Sequence, residues 1–64
     1  MQNKLKFYRQ QRNITQKELA KKVGITEQYY QRLEYQQHEP KISTAYKLAK
    51  VLDVDVKKIF PIED

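Results

Sequence analysis

No cysteine and no tryptophan occur among the 64 residues, and there is a single glycine, a single histidine and only two prolines. Without thiols the chain has no disulfide framework, no thiolate zinc site and no sulfur nucleophile. Nothing in it asks for an oxidising compartment, and a reducing cytoplasm is the expected location. No apolar run approaches the roughly 18 residues that a spanning helix needs, and the N-terminus lacks the apolar region of a signal peptide. No membrane partner is therefore expected. The lone His38 stands in a polar stretch with no second histidine or cysteine near it, which predicts an exposed side chain and no metal site. A chain of this size buries only about 60% of the surface its unfolded form exposes, enough for one modest core and too little for an enclosed substrate cavity. With no nucleophile–base pair in sight, neither an enzyme nor a cofactor or small-molecule ligand is expected, and residues 1–64 read as a single domain.

What the chain does have is positive charge, 13 Lys+Arg against 8 Asp+Glu. Residues 1–32 carry Lys4, Lys6, Arg9, Arg12, Lys17, Lys21, Lys22 and Arg32 against Glu18 and Glu27, whereas residues 33–64 are slightly acidic. This asymmetry predicts one basic face, the electrostatic footprint of a protein that meets a polyanion.

Apolar spacing reads as helix almost throughout. Leu5 and Tyr8 mark a short first helix to about Arg12, with Asn13 as a left-handed stop. Thr15 opens a second helix through a capping box with Glu18, and Leu19, Ala20 and Val23 form its buried stripe. Gly24 follows, where a sharp change of direction needs a residue tolerant of positive φ. Thr26 caps a third helix that runs to about Glu34, with Ile25 and Tyr30 spaced as a hydrophobic staple. The polar segment 35–41, containing Pro40, predicts a loop. Ser43 reads as the cap of a fourth helix whose Ala45, Leu48, Ala49 and Leu52 follow i, i+3, i+4, i+7. A last short helix over Val56 to Phe60 is stopped by Pro61. No alternating run argues for a strand.

Two helices of about eight residues joined across a glycine outline a helix-turn-helix. Counted from Gln16, Ala20 stands where close helix crossing needs a small side chain, and Gly24 makes the turn. Leu19, Val23, Ile25, Tyr30 and Leu33 occupy the positions that fix the crossing angle. The segment ITQKELAKKVGIT, the Leu33-Glu34 pair, the polar loop with Pro40 and STAYKLAKVLDV together resemble the Xre/Cro family of phage and bacterial repressor domains, from about Leu5 to Phe60. That resemblance implies an all-α, five-helix, lambda-repressor-like domain whose third helix enters the major groove of double-stranded DNA. It also implies a homodimer on a two-fold operator.

The third helix carries the same message in its own residues. At about 100° per residue, Glu27, Gln28, Gln31 and Arg32 share one polar arc while Tyr30 and Leu33 lie opposite. Glu, Gln and Arg are equipped for base edges: Gln pairs bidentately with adenine, Arg with guanine, and Glu accepts from cytosine. Phosphate contacts would hold the register. Gln16 in the first turn of helix 2 is the leading candidate, followed by Thr26 and Tyr29, with Lys17, Gln36, Gln37, His38 and Lys41 weaker. The family resemblance further implies that Arg9 pairs with Glu34. Where many family members end helix 3 with Asn-Gly, this chain has Tyr35-Gln36, which predicts an extra helical turn there. Asp53 likewise replaces the usual glycine after helix 4. Val54, Val56, Ile59, Phe60 and Ile62 are the candidate dimer surface; some of them must complete the core, since Ile59 and Phe60 cannot both be fully outside. The fold also suits a protein-interaction module, such as an antitoxin or adaptor.

Overall fold

Residues 3–61 are described by a computed structural model. Five helices follow one another: α1 Leu5–Gln11, α2 Gln16–Val23, α3 Glu27–Glu34, α4 Ile42–Leu52 and α5 Val56–Ile59. Among the described residues there is no strand, and no helix is long and apolar enough to cross a membrane.

Local hydrogen bonding explains where the helices begin. The Thr15 hydroxyl accepts the Glu18 N–H at 3.0 Å while the Glu18 carboxylate accepts the Thr15 N–H at 3.1 Å, a complete capping box. Bonding from Thr15, through its backbone N–H first and then its hydroxyl, holds the exposed Glu18 below the usual carboxylate range. Thr26 caps α3 by accepting the Tyr29 N–H, and Asp55 caps α5 by accepting the Lys57 N–H. Ser43 does not cap α4. The helical ladder already starts with the Ala45 N–H on the Lys41 carbonyl, so Lys41 is the capping residue and Ser43 lies within the first turn.

The helix ends share one device. Each of α1 to α4 closes with a pair of bonds that reach back over the last turn: Ile14 and Asn13 to Arg9 and Gln10, Ile25 and Gly24 to Ala20 and Lys21, Gln37 and Gln36 to Arg32 and Leu33, Val54 and Asp53 to Ala49 and Lys50. This is the Schellman arrangement, and it requires one left-handed residue at each end. Asn13, Gly24, Gln36 and Asp53 take that role, with φ of 54°, 84°, 63° and 55°. The extra turn predicted after α3 is therefore absent. Gln36 adopts the left-handed backbone in glycine's place, because reversing there lets α3 stop and the chain cross to α4.

The apolar stripes of these helices meet in one core. Leu5, Leu19, Tyr30, Leu33, Leu48, Leu52 and Ile59 are fully enclosed, each Leu contributing about 1.5–3 kcal/mol through burial. α2 packs against α3 and α4, and α4 against α5. Ile59 and Phe60, expected on a dimer surface, are 0% and 3% exposed. They complete the core, and the Lys4 N–H on the Ile59 carbonyl at 2.8 Å fastens α5 to the start of α1. Val54 and Val56 stay half-buried at its edge. Ile62 lies outside the described residues.

α1 is tied to α3 by a bidentate pair. Arg9 Nε donates to Glu34 Oε2 at 2.9 Å, Nη2 donates to Oε1 at 3.2 Å, and Nη1 donates to the Ile14 carbonyl at 2.9 Å. The Glu34 side chain is 1% exposed and that of Arg9 13%. Burial opposes the charge on Glu34, but Arg9 first, then the Tyr30 hydroxyl and the Gln16 amide, outweigh it, so the carboxyl stays below its usual range. Arg9 is raised in turn, first by its hydrogen bond to Glu34.

Two outcomes follow for stability. Gln36→Gly relieves a left-handed non-glycine residue and raises stability by about 0.5–1 kcal/mol after the added chain entropy of glycine is subtracted, measured by urea unfolding. A carboxyl depressed in the folded state stabilises fully above its unfolded pKa, about 4.3. Stability therefore falls as pH drops through that value and on through the lower folded one. Glu34→Gln removes that part of the pH dependence and costs about 3 kcal/mol by leaving Arg9 unpaired; pH-resolved thermal melts read both.

Candidate nucleic-acid interface

The turn between α2 and α3 depends on Gly24, whose left-handed backbone an L side chain adopts only under strain. With Ala20 and Leu19 buried beneath it, the turn presents α3 on the outside of the molecule. The helix is sharply two-sided. Tyr30 and Leu33 are 0% exposed, whereas Glu27, Gln28 and Arg32 are open to solvent. No other part of the described chain covers that outer face.

Gln31 shares the arc but differs in its surroundings. It is half-buried, and its Nε2 donates to Gln16 Oε1 at 3.2 Å. Gln16 Nε2 in turn donates to Glu34 Oε1 at 3.1 Å and reaches the Tyr35 hydroxyl at 3.4 Å. Gln16 thus stands at the start of α2 with its amide folded against α3.

The other predicted contacts surround this surface. Lys17, Gln36, Gln37, His38 and Lys41 are exposed. The Thr26 hydroxyl is occupied as an acceptor by its capping bond, which leaves its proton available to a phosphate oxygen. Tyr29 is half-buried and meets the edge of His38, ring centroids 5.5 Å apart, so the flank of α3 is braced by the loop that follows it.

A shallow, open depression of about 470 Å³ is lined by Gln28, Gln31, Arg32, Tyr35 and Gln37 on one side of α3. Tyr35 was not among the expected site residues. Its position was nevertheless readable: it follows Gln28 by seven, Gln31 by four and Arg32 by three, the spacing of one helix face.

Electrostatically the site rests on a buried polar knot and an open basic rim. The Tyr30 hydroxyl is enclosed and finds no well-aligned hydrogen-bond partner among the described residues. Burial, and then the neighbouring Glu34 carboxylate, push its phenol far above the ordinary range, so it stays neutral. Arg32, Lys17 and Lys41 supply charge around the rim. The Arg12–Asp53 contact of 3.6 Å is solvent-exposed and adds little. Among the described residues, no group of three His, Cys, Asp or Glu side chains could hold a metal ion.

Known proteins with similar sequences and structures agree with this geometry. A helix-turn-helix family model matches residues 5–59. An uncharacterised HTH-type transcriptional regulator of Methanocaldococcus jannaschii is 42% identical over 64 residues, covering 100% of this chain and 97% of that protein. An uncharacterised HTH-type transcriptional regulator of Archaeoglobus fulgidus is 34% identical, covering 100% of this chain and 90% of that protein. The N-terminal DNA-binding domain of SinR from Bacillus subtilis superposes with a TM-score of 0.82 at 30% identity, covering 92% of this chain and 87% of that one. With its five helices, its turn glycine and its exposed third helix, the chain belongs to the Xre/Cro-like helix-turn-helix family.

Proposed function

We propose that this protein is a sequence-specific double-stranded DNA-binding regulator, a cytoplasmic repressor acting as a homodimer on a two-fold operator. The observation that carries the reading is the two-sidedness of α3: its inner face is locked in the core while Glu27, Gln28 and Arg32 project from an uncovered outer face. A helix so placed fits the major groove. Arg32 is suited to guanine, Gln28 to adenine and Glu27 to cytosine.

Backbone contacts then set the register. The first turn of α2, with Gln16 and Lys17, offers free amide N–H groups to a phosphate, and Thr26, Tyr29, Gln36 and Lys41 flank the groove walls. For the dimer, Val54 and Val56 remain available where Ile59 and Phe60 do not. They border a shallow depression shared with Tyr46, itself 60% exposed. A protein-interaction module is the second reading, favoured by the exposure of Phe7, Ile42 and Tyr46; it predicts no preferred DNA sequence.

Selection of bound sequences from random duplex DNA tests the proposal. The expected result is a two-fold site whose half-site centres lie about 34–36 Å apart; failure to enrich any sequence overturns it. Arg32→Ala or Gln28→Ala costs about 1–3 kcal/mol and relaxes preference at one base pair, whereas Lys17→Ala weakens all sequences alike. Affinity measured against salt falls with a log–log slope of about −0.9 per phosphate neutralised.

A further inference from the structure

We infer that Gln31, although it lies on the outward arc of the recognition helix, does not read a base but acts with Gln16 as a strut that positions α3 against the start of α2. This rests on the DNA-binding reading above. The argument begins inside the protein. Arg9 keeps Glu34 ionised, and an ionised carboxylate only accepts hydrogen bonds. Glu34 Oε1 therefore takes the amide nitrogen of Gln16, at 3.1 Å. That choice fixes which way the Gln16 amide faces, and leaves its oxygen turned toward Gln31. Gln31 must then present its own nitrogen, which donates to Gln16 Oε1 at 3.2 Å.

Charge at the buried pair thus dictates the orientation of two successive amides out to the surface. Bidentate recognition of adenine needs the donor and the acceptor of a glutamine amide presented together to the groove. Gln31 has its donor turned to Gln16 and is half-buried, whereas Gln28 is exposed and makes no such bond among the described residues. The reading set reduces to Glu27, Gln28 and Arg32. Gln31 sets the spacing between the phosphate contacts of α2 and those three side chains.

The test compares the unsubstituted protein with Gln31→Ala, Gln16→Ala and the double variant. Each is assayed for affinity toward the selected site and an unrelated duplex, for the sequence enriched from random duplexes, and for urea stability. Gln31→Ala is expected to weaken both duplexes by the same factor, about three- to tenfold, with the enriched sequence unchanged. Adding it to Gln16→Ala has no further effect. Loss of preference at one base pair in Gln31→Ala overturns the inference, as does unaltered affinity. Should Gln31→Ala fail to fold, Gln31→Met keeps the apolar stem, removes the donor and carries the same comparison. If the unsubstituted protein enriches no sequence, the DNA reading falls by itself. The strut is then decided on the free protein, where non-additive destabilisation by the two substitutions supports it and additivity overturns it.

Discussion

The Glu34 carboxylate is the point on which three helices depend. It sits at the end of α3, nearly inaccessible to water, and accepts from Arg9 of α1 and Gln16 of α2. A charge in that position is tolerable only because its oxygens are satisfied; removing a partner leaves the other charge stranded. The cluster therefore contributes geometric definition more than net stability. Its hydrogen bonds join α1, α2 and α3 at one carboxylate. The Tyr30 ring fills the core beside it, with its hydroxyl enclosed next to the Glu34 carboxylate.

The second constraint is conformational. Four helices end in the same reversal, and a chain with one glycine must place other residues in the left-handed region at three of them. Asn13 and Asp53 are short polar side chains that visit this region more readily than most; Gln36 is not. The chain thus gives up some stability after α3 to keep the reversal that separates the third helix from the loop. Holding the end of α3 in this way keeps Tyr35 on the outer face and allows the Tyr29–His38 contact to brace the loop.

Much of the fold was legible from local pattern. The capping box at Thr15, the cap at Thr26, the turn at Gly24 and the stripe of α4 all depend on residues within a few positions of one another. The start of α4 was misplaced at Ser43 because a serine ahead of an apolar stripe looks like a cap whether or not its hydroxyl is used, and here the ladder begins at Lys41. The extra turn after α3 was expected from the lack of glycine, yet the tertiary need to reverse the chain overrode the intrinsic preference of Gln36. At least one of Ile59 and Phe60 had to face inward, but the order of residues left open that both do, because a terminal apolar run does not announce whether it closes its own core or another's.

From residue order alone came the helices, their caps, the turn and the two faces of α3, because these are set by hydrogen bonds and side-chain periodicity over a turn or two. Only packing decided which polar side chains of that outer face remain unengaged. The bonds that occupy Gln16 and Gln31 join residues 15 and 18 positions apart, and they begin from an ion pair spanning 25. No local rule reaches that far. Their orientation follows from a buried charge whose environment exists only once α1, α2 and α3 have met.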